Sequence, residues 1–298
     1  MSVLRNLTTE ARNPASMNID ELSAIEIVRL MNEEDAGVAA AVATQADAVA
    51  RAIDMIAGRL RAGGRLIHMG PGTSGRLGVL DATECPPTFN SPSGQVVGLI
   101  AGGHDALTRA VEGAEDRPEL AEQDLRAIGV NSGDVVVGVA TSGRTPYVVA
   151  GLAFARTQGC ATIALACNDD SSVGREADLA IAPIVGPEVV SGSTRLKAGT
   201  ATKMVLNMLS TGAMVRIGKT FGNLMVDLRA TNSKLRDRTR RIVETIAGVD
   251  EPTASDVLAR CGGELKTAIV VGRTGCAPAE ARRRLEQSGG QVRGALGE

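Results

Sequence analysis

The stretch GPGTSGRLGVLDATECPPTF, residues 70–89, decides the fold of this chain because it joins an apolar segment to a glycine-rich turn. Residues 65–69, RLIHM, directly precede it and are predicted to form a buried β-strand. Glycines at the first, third and sixth positions of the stretch are typical of a turn that leads from a strand into a helix and approaches a phosphate closely. The stretch therefore predicts a strand, a phosphate-type turn and a helix in succession.

The pattern of glycines leaves open which phosphorylated ligand the turn holds. A dinucleotide site also needs an acidic residue at the end of the second strand, about 20 residues further on. Here that strand ends with residues 100–104, IAGGH, and Asp105 comes too late. A nucleoside triphosphate site would need G-x-x-x-x-G-K-[ST], which does not occur in the chain. The sequence therefore favours a ligand with a single phosphate group.

Short apolar segments rich in β-branched residues recur along the first two thirds of the chain. Besides residues 65–69, strands are predicted at 96–101, 134–140, 161–166 and, more weakly, 179–183. Helical patterns at 106–127 and 147–158 lie between them. Alternating strands and helices indicate an α/β fold, a doubly wound parallel sheet flanked by helices.

Helical periodicity elsewhere divides the chain into four parts. Apolar residues at three-to-four spacing between 19 and 62 predict N-terminal helices, and residues 193–219 predict a long helix that closes the sheet domain. Beyond residue 240 we expect a small C-terminal three-helix module. The predicted parts are an N-terminal helical segment 1–55, the sheet domain 56–220, a connecting segment 221–240 and a C-terminal helical domain 241–298.

Composition excludes several classes of function. The formal net charge of −2 lacks the basic surplus of a nucleic-acid-binding protein. The five cysteines are an odd number and include no C-x-x-C pair, which argues against both a disulfide framework and a zinc site and favours a reducing cytoplasm. The N-terminal residues lack a signal-peptide core, and no apolar run reaches the ~18 residues that span a bilayer. We therefore expect a cytoplasmic protein that acts on small solutes, with neither nucleic acid nor membrane as partner.

Hydroxyl side chains follow the first and third predicted strands and also precede the long helix. Helix N-termini attract anions, and Ser or Thr hydroxyls can donate hydrogen bonds to a phosphate. The alternative is that each hydroxyl only caps its helix. Several such turns at one edge of a sheet favour a sugar phosphate held at both ends. The candidate binding residues are Gly72, Thr73, Ser74, Ser142, Gly143, Thr145, Ser191, Ser193 and Thr194.

Six segments together resemble the N-acetylmuramic acid 6-phosphate etherase family, which is built on a sugar isomerase (SIS) domain. The segments are GPGTSGRLGVLDATECPPTF, GLIAGG, AVEGAED, DVVVGVATSGRTPYVVAGL, PIVGPEVVSGSTRLKAGTATKMVLNMLSTG and GKTFGNLMVDL, which is followed by ATN one residue later. The resemblance covers about residues 5 to 298, and Pro71 departs from it where Ala is expected. It implies a SIS-type fold and a homodimer, since strand-end loops of SIS domains are often completed across a two-fold axis.

The resemblance also implies a reaction, cleavage of the ether between C3 of the sugar and D-lactate in the recycling of bacterial cell wall. In the ring-opened sugar the C2 proton lies α to the aldehyde, so a base can remove it, the lactyl oxygen leaves by β-elimination, and water then adds. This route uses carboxylates and needs neither a metal nor another cofactor. Glu84 and Glu115 occupy the two functional glutamate positions of the family. Glu84 is expected to protonate the lactyl oxygen and then activate water, whereas Glu115 is either the base at C2 or an anchor for a sugar hydroxyl.

Some readings stay open from sequence alone. Without the resemblance, Glu84 would be taken for a solvated residue before Pro86-Pro87, where any helix is expected to end, and Glu115 for part of a wet surface. A phosphosugar isomerase and a non-catalytic sugar-phosphate sensor would use the same fold. The lactyl carboxylate should meet a cation, for which the candidates are Arg76, Arg144 and Lys197.

Overall fold

The structure is a computed structural model that describes residues 8–228, 230 and 233–298. The first seven residues and three residues of the predicted connecting segment therefore lie outside the described part. The chain divides into two compact units. The first unit comprises Met1–Thr83 and Gly94–Ser210, and the second comprises Glu84–Ser93 and Thr211–Glu298. The four-part division drawn from the sequence stays a prediction.

A five-stranded sheet forms the centre of the first unit, and each strand falls within a predicted segment or one residue beyond it. All neighbouring strands are parallel, in the order β2-β1-β3-β4-β5. Every residue of β1, β3 and β4 is buried, as expected of strands covered on both faces. The strands are β1 Leu66–Gly70, β2 Val96–Ile100, β3 Val135–Val139, β4 Ala161–Leu165 and β5 Leu179–Ile181.

Helices cover both faces of this sheet. A Cβ added to Gly78 would lie 2.9 Å from the Cβ of His68, and one added to Gly151 would lie 2.1 Å from the Cε of Met69. His68 and Met69 are adjacent on β1 and point to opposite faces, so the two helices that carry these glycines lie on opposite sides. The doubly wound α/β prediction is confirmed. The helices are α1 Ala24–Asp35, α2 Val38–Ala43, α3 Ala46–Arg61, α4 Gly72–Phe89, α5 Pro118–Ala127, α6 Pro146–Thr157, α7 Ser172–Glu176 and α8 Lys197–Arg216.

The predicted helix at 106–127 forms only in its second half. Residues His104–Leu107 and Ala114–Asp116 are 3-10 turns, and Gly113 between them has a φ of 74°. A residue at positive φ interrupts a helix, and Pro118 takes the first position of α5, where its missing N–H has no helical partner. The turn that carries Glu115 is therefore set apart from α5.

The prediction that Pro86-Pro87 ends the preceding helix is wrong, because α4 continues through both prolines to Phe89. Both prolines lie near the C-terminal end of α4, so the hydrogen bonds that their missing N–H groups cost the helix fall in its last turns. Cys85 and Phe89, four residues apart, are both buried, which keeps the segment helical.

The C-terminal part of the second unit holds five helices within residues 233–298, where the sequence predicts three beyond residue 240. Breaks such as Gly262-Gly263 and Gly289-Gly290, all at positive φ, keep four of the helices to ten residues or fewer, too short for helical periodicity to be counted reliably. The two-residue strands β6 Thr220–Phe221 and β7 Leu224–Met225 pair before them. The helices are α9 Ser233–Ala247, α10 Glu251–Arg260, α11 Leu265–Thr274, α12 Pro278–Gln287 and α13 Val292–Leu296. No helix of the described residues has the length and apolarity needed to cross a membrane.

Candidate active site

A cleft of about 510 Å³ opens in the first unit at the carboxyl ends of β1 and β3. These two strands are adjacent in the sheet but not in the chain, so the loops that follow them diverge and leave a crevice between them. Six of the nine predicted binding residues line the cleft: Gly72, Thr73, Ser74, Ser142, Thr145 and Thr194. The expectation that the hydroxyl-bearing turns meet at one edge therefore agrees with the geometry of the first unit.

The turn after β1 is shaped by glycines that allow close backbone approach. A Cβ at Gly70 would lie 2.7 Å from the carbonyl oxygen of Val139, and one at Gly75 would lie 2.3 Å from that of Gly70. Neither position can hold a side chain, so α4 starts directly against the ends of β1 and β3. Thr73 and Ser74 consequently lie in the first helical turn, where the positive end of the helix dipole faces the cleft.

The turn after β3 is longer and depends on Gly143. This residue has a φ of 76°, and an added Cβ would lie 2.3 Å from that of Ser171. Its N–H donates to the carbonyl of Ala140 at 2.8 Å, so Gly143 shapes the turn and does not itself line the cleft among the described residues. Thr145 is the N-cap of α6, but its side chain makes no cap hydrogen bond. Its hydroxyl is therefore available to a ligand, which favours the ligand reading of Thr145 over the capping reading.

The turn before α8 contributes less to the cleft than the sequence suggests. Thr194 lines the cleft, whereas Ser191 and Ser193 are not among the described residues that do. The first N–H groups of α8 are already occupied, because Lys197 N and Ala198 N donate to the carboxylate of Glu188 at 3.0 and 2.9 Å. Glu188 is fully buried. This helix start is thus neutralised from within the protein, a feature that no local motif predicted.

Glu115 lines the cleft together with its neighbour Asp116. Both lie in the 3-10 turn Ala114–Asp116, which the extended backbone of Arg117 separates from α5. Glu84 belongs to the second unit, is exposed on α4, and is not among the described residues that line this cleft. The structure therefore brings Glu115 together with the predicted phosphate-binding residues and does not bring Glu84 to the same lining.

The three candidate cations lie in different surroundings. Arg144 is exposed and lines the cleft. Arg76 donates to the carbonyls of Leu107 and Arg109, both at 3.1 Å, and so braces the segment after β2. Lys197 is buried and hydrogen-bonds the carboxylate of Glu34, which lowers the pKa of Glu34. Of the three, Arg144 is therefore the residue placed to meet a ligand anion.

Two carboxylates in the cleft were not singled out from the sequence. Asp116 stands next to a predicted residue, so proximity in the chain could have drawn attention to it. Glu10 comes from a segment more than 60 residues before the first hydroxyl turn, and only tertiary contacts bring it to the cleft. The described lining therefore carries three carboxylates, those of Glu10, Glu115 and Asp116, against the guanidinium of Arg144. Within the described residues, no cluster of His, Cys, Asp and Glu is arranged to hold a metal ion.

Comparison with known proteins gives a consistent assignment. A family model for the SIS domain matches residues 117–212, and a model for the glucokinase regulatory protein N-terminal SIS domain matches residues 48–156. The phosphoheptose isomerase of Neisseria gonorrhoeae has a similar fold, with a TM-score of 0.50 and 18% identity over 64% of this chain and 98% of that one.

Curated relatives match over nearly the whole chain. The chain is 60% identical to the N-acetylmuramic acid 6-phosphate etherase of Rhodopirellula baltica, over 98% of this chain and 97% of that protein. It is 56% identical to the etherase of Mycolicibacterium smegmatis, over 99% of each. The family resemblance is confirmed, and this chain belongs to the N-acetylmuramic acid 6-phosphate etherase family.

Proposed function

We propose that this protein is an enzyme that cleaves the D-lactyl ether of N-acetylmuramic acid 6-phosphate in cell-wall recycling. Its products are N-acetylglucosamine 6-phosphate and D-lactate. The observation that carries the proposal is the identity of 60% with an etherase over nearly the full chain. The cleft between β1 and β3, with hydroxyl groups on both loops, supports it because a phosphorylated sugar needs such donors.

The substrate phosphate binds to neutral donors in this scheme. Ser142 and Thr145 lie on one loop and Thr73 and Ser74 on the other, each at the start of a helix. Helix N-termini stabilise an anion through their unpaired N–H groups and dipole, so the site does not need a lysine to hold a phosphate. Arg144, an exposed cation of the same lining, is then available for the lactyl carboxylate.

The reaction is an elimination followed by addition of water, which makes the enzyme a carbon–oxygen lyase. A base removes the C2 proton of the ring-opened sugar, the C3–O bond breaks, and the leaving lactyl oxygen takes a proton. Water then adds across the double bond, its oxygen to C3 and a proton to C2. Glu115, in the cleft, is the base at C2 or the hydroxyl anchor. Glu84 keeps the role that the family resemblance implies, as the acid that then activates water, although it is not among the described residues that line the cleft. Each proton-transfer group contributes about 10²- to 10⁴-fold to the rate.

We further propose that the protein is a cytoplasmic homodimer that binds neither nucleic acid nor membrane. Ile25 and Val28 on α1 are 56% and 60% exposed, and apolar side chains on a helix of this kind suit a contact with a second copy. Light scattering should give twice the mass of one chain. The Ile25→Asp/Val28→Asp variant should shift toward the mass of one chain; an unchanged mass would place the contact elsewhere.

The direct experiment incubates the purified protein with N-acetylmuramic acid 6-phosphate and assays D-lactate. Glu84→Gln and Glu115→Gln should each abolish or strongly reduce lactate release while binding of the phosphosugar persists. Glu112→Gln, an exposed glutamate on the same segment as Glu115 but outside the cleft lining, is the matched control and should behave as wild type. Near-normal turnover in Glu84→Gln would remove that residue from the mechanism. An aldose–ketose shift on a plain sugar phosphate, without lactate, would identify an isomerase; binding without turnover would identify a sensor.

A further inference from the structure

We propose that Glu10 contacts the substrate, accepting hydrogen bonds from hydroxyl groups of the sugar, and that Asn168 positions it for this role. The inference rests on the proposed function of the same cleft. It adds the N-terminal segment to the active site. This part of the chain lies outside the family motifs that carry the two glutamates and the hydroxyl turns.

Glu10 reaches the cleft from the 3-10 turn Thr8–Glu10. Its Oε2 atom lies 3.3 Å from the point where a Cβ of Gly192 would stand. A side chain at position 192 would therefore press on the carboxylate, and the glycine leaves it room. Glu10 itself is exposed, so its oxygens are accessible to a molecule that enters the cleft.

Asn168 holds this turn in place from the end of β4. Its Oδ1 accepts hydrogen bonds from the backbone N–H and the hydroxyl of Thr8, at 2.9 and 2.8 Å. Its Nδ2 donates to the hydroxyl of Thr9 and to the carbonyl of Thr141, both at 3.1 Å. Asn168 is 3% exposed and Thr9 is fully buried. One buried amide thus joins the N-terminal turn to the hydroxyl-bearing loop after β3.

Ordering the turn costs conformational entropy, which the four hydrogen bonds of a buried amide offset. The result is that Glu10 is fixed relative to Thr141, next to Ser142.

Charge determines which part of the substrate Glu10 meets. The substrate carries a phosphate at one end and a lactyl carboxylate at C3, and a glutamate beside either anion would repel it. Away from these two anions the sugar offers hydroxyl groups and an amide N–H, all of which donate hydrogen bonds. A carboxylate accepts several such bonds, and bonds to a charged acceptor are stronger than neutral ones. Glu10 therefore recognises the hydroxylated part of the sugar and disfavours a ligand with a second phosphate there.

The first test compares Glu10→Ala with wild type in the D-lactate assay. Loss of a hydrogen bond to a charged group should raise KM about 10- to 100-fold while kcat stays within about threefold. Glu10→Gln, which keeps one acceptor oxygen, should show a smaller rise. Glu21→Ala is the matched control, since Glu21 is also an exposed glutamate in an N-terminal 3-10 turn but does not line the cleft.

The second test asks whether Asn168 acts through Glu10. Asn168→Ala and the milder Thr8→Ala should each raise KM, and adding Glu10→Ala to Asn168→Ala should cost much less than Glu10→Ala alone. A purely structural role for Asn168 would lower the unfolding temperature and leave the Glu10 effect undiminished, which would overturn the positioning role.

A KM for Glu10→Ala within twofold of wild type, or an equal rise in Glu21→Ala, would overturn the role of Glu10. Calorimetric measurement of N-acetylglucosamine 6-phosphate binding distinguishes failure of the proposed role of Glu10 from failure of the proposed reaction. If wild type releases no lactate, the reaction is wrong. Weaker binding of this sugar phosphate by Glu10→Ala than by wild type would still support the contact, and equal binding would refute it.

Discussion

The two ends of the same two strands, β1 and β3, use their polar groups in opposite ways. At the amino end, Arg65 donates to Asp134 at 3.0 and 2.6 Å and also to the carbonyls of Ile128 and Gly129. Asp134 is 1% exposed and accepts a further bond from the N–H of Asn131. At the carboxyl end, hydroxyl groups and helix starts face an open cleft.

This difference shows that the polar groups at one end of the sheet serve stability and those at the other end serve ligand binding. The amino end satisfies its charges internally, which holds the strands in register. The carboxyl end leaves donors for a ligand, as expected where parallel strands diverge. Substitutions at the amino end should therefore change the free energy of unfolding, and substitutions at the carboxyl end should change substrate binding.

The largest effect is expected at the amino end, for Asp134→Ala. Removing this buried carboxylate leaves Arg65 without its partner and should lower the free energy of unfolding by about 3 kcal/mol or more. The activity of the molecules that remain folded should be unchanged. Urea unfolding measures the loss, with Glu119→Ala as the control, because the exposed pair of Glu119 and Arg117 should contribute less than about 1 kcal/mol. Loss of activity without loss of stability would break the comparison.

The next largest effect is expected for Gly143→Ala. Its positive φ costs an alanine about 1–2 kcal/mol, and the clash with Ser171 adds about 1–3 kcal/mol. Because the turn must shift, KM should also rise. Gly129→Ala separates the two causes, since Gly129 has a φ of 59° and open space at its Cβ. Equal destabilisation in both variants would show that the close contact with Ser171 does not matter.

Ser142→Ala should affect binding with little change in stability. Loss of one hydroxyl donor to the phosphate should raise KM about tenfold, equivalent to about 1.4 kcal/mol, and leave the unfolding temperature within about one degree. Ser132→Ala, on an exposed serine at the amino end of β3, should change neither quantity. A defect in kcat alone would mean that the phosphate does not bind at Ser142.

The smallest effect is expected from the pair of Glu34 and Lys197, which is an internal pair on the ligand side. The hydrogen bond from Lys197 lowers the pKa of Glu34. The ionised carboxylate of Glu34 therefore stabilises the fold above its pKa in the unfolded chain, about 4.3. This stabilisation is lost as the pH falls through its lower pKa in the folded protein. Because Glu34 is partly exposed, we expect this pH-dependent contribution to the free energy of unfolding to be less than about 1 kcal/mol. Glu34→Gln should remove this part of the acid sensitivity in thermal unfolding, and an unchanged pH profile would contradict the assignment.

Sequence reasoning succeeded where the signal was local. The buried runs of β-branched residues located all five strands of the main sheet. Ser142 and Thr145, predicted because a turn after a parallel strand lies at the ligand edge, do line the cleft, and their role in binding stays a prediction. It failed where contacts between distant segments decide. Glu188 binds the start of α8 after eight intervening residues that form neither helix nor strand. Glu10 comes to the cleft from a turn whose Thr8 and Thr9 hydrogen-bond Asn168, about 160 residues further along the chain. The continuation of α4 through Pro86 likewise follows from burial of the neighbouring side chains.

The buried carboxylate of Glu188 limits the orientation that a phosphorylated ligand can take in the cleft. The protein supplies its own counter-charge at the start of α8, so a phosphoryl group gains little by settling there. Among the described residues, no carboxylate accepts hydrogen bonds from the first N–H groups of α4 or α6 as Glu188 does at α8. We therefore expect the sugar to enter one way round, with its sixth carbon near those two helices and the reacting carbons turned toward Glu115.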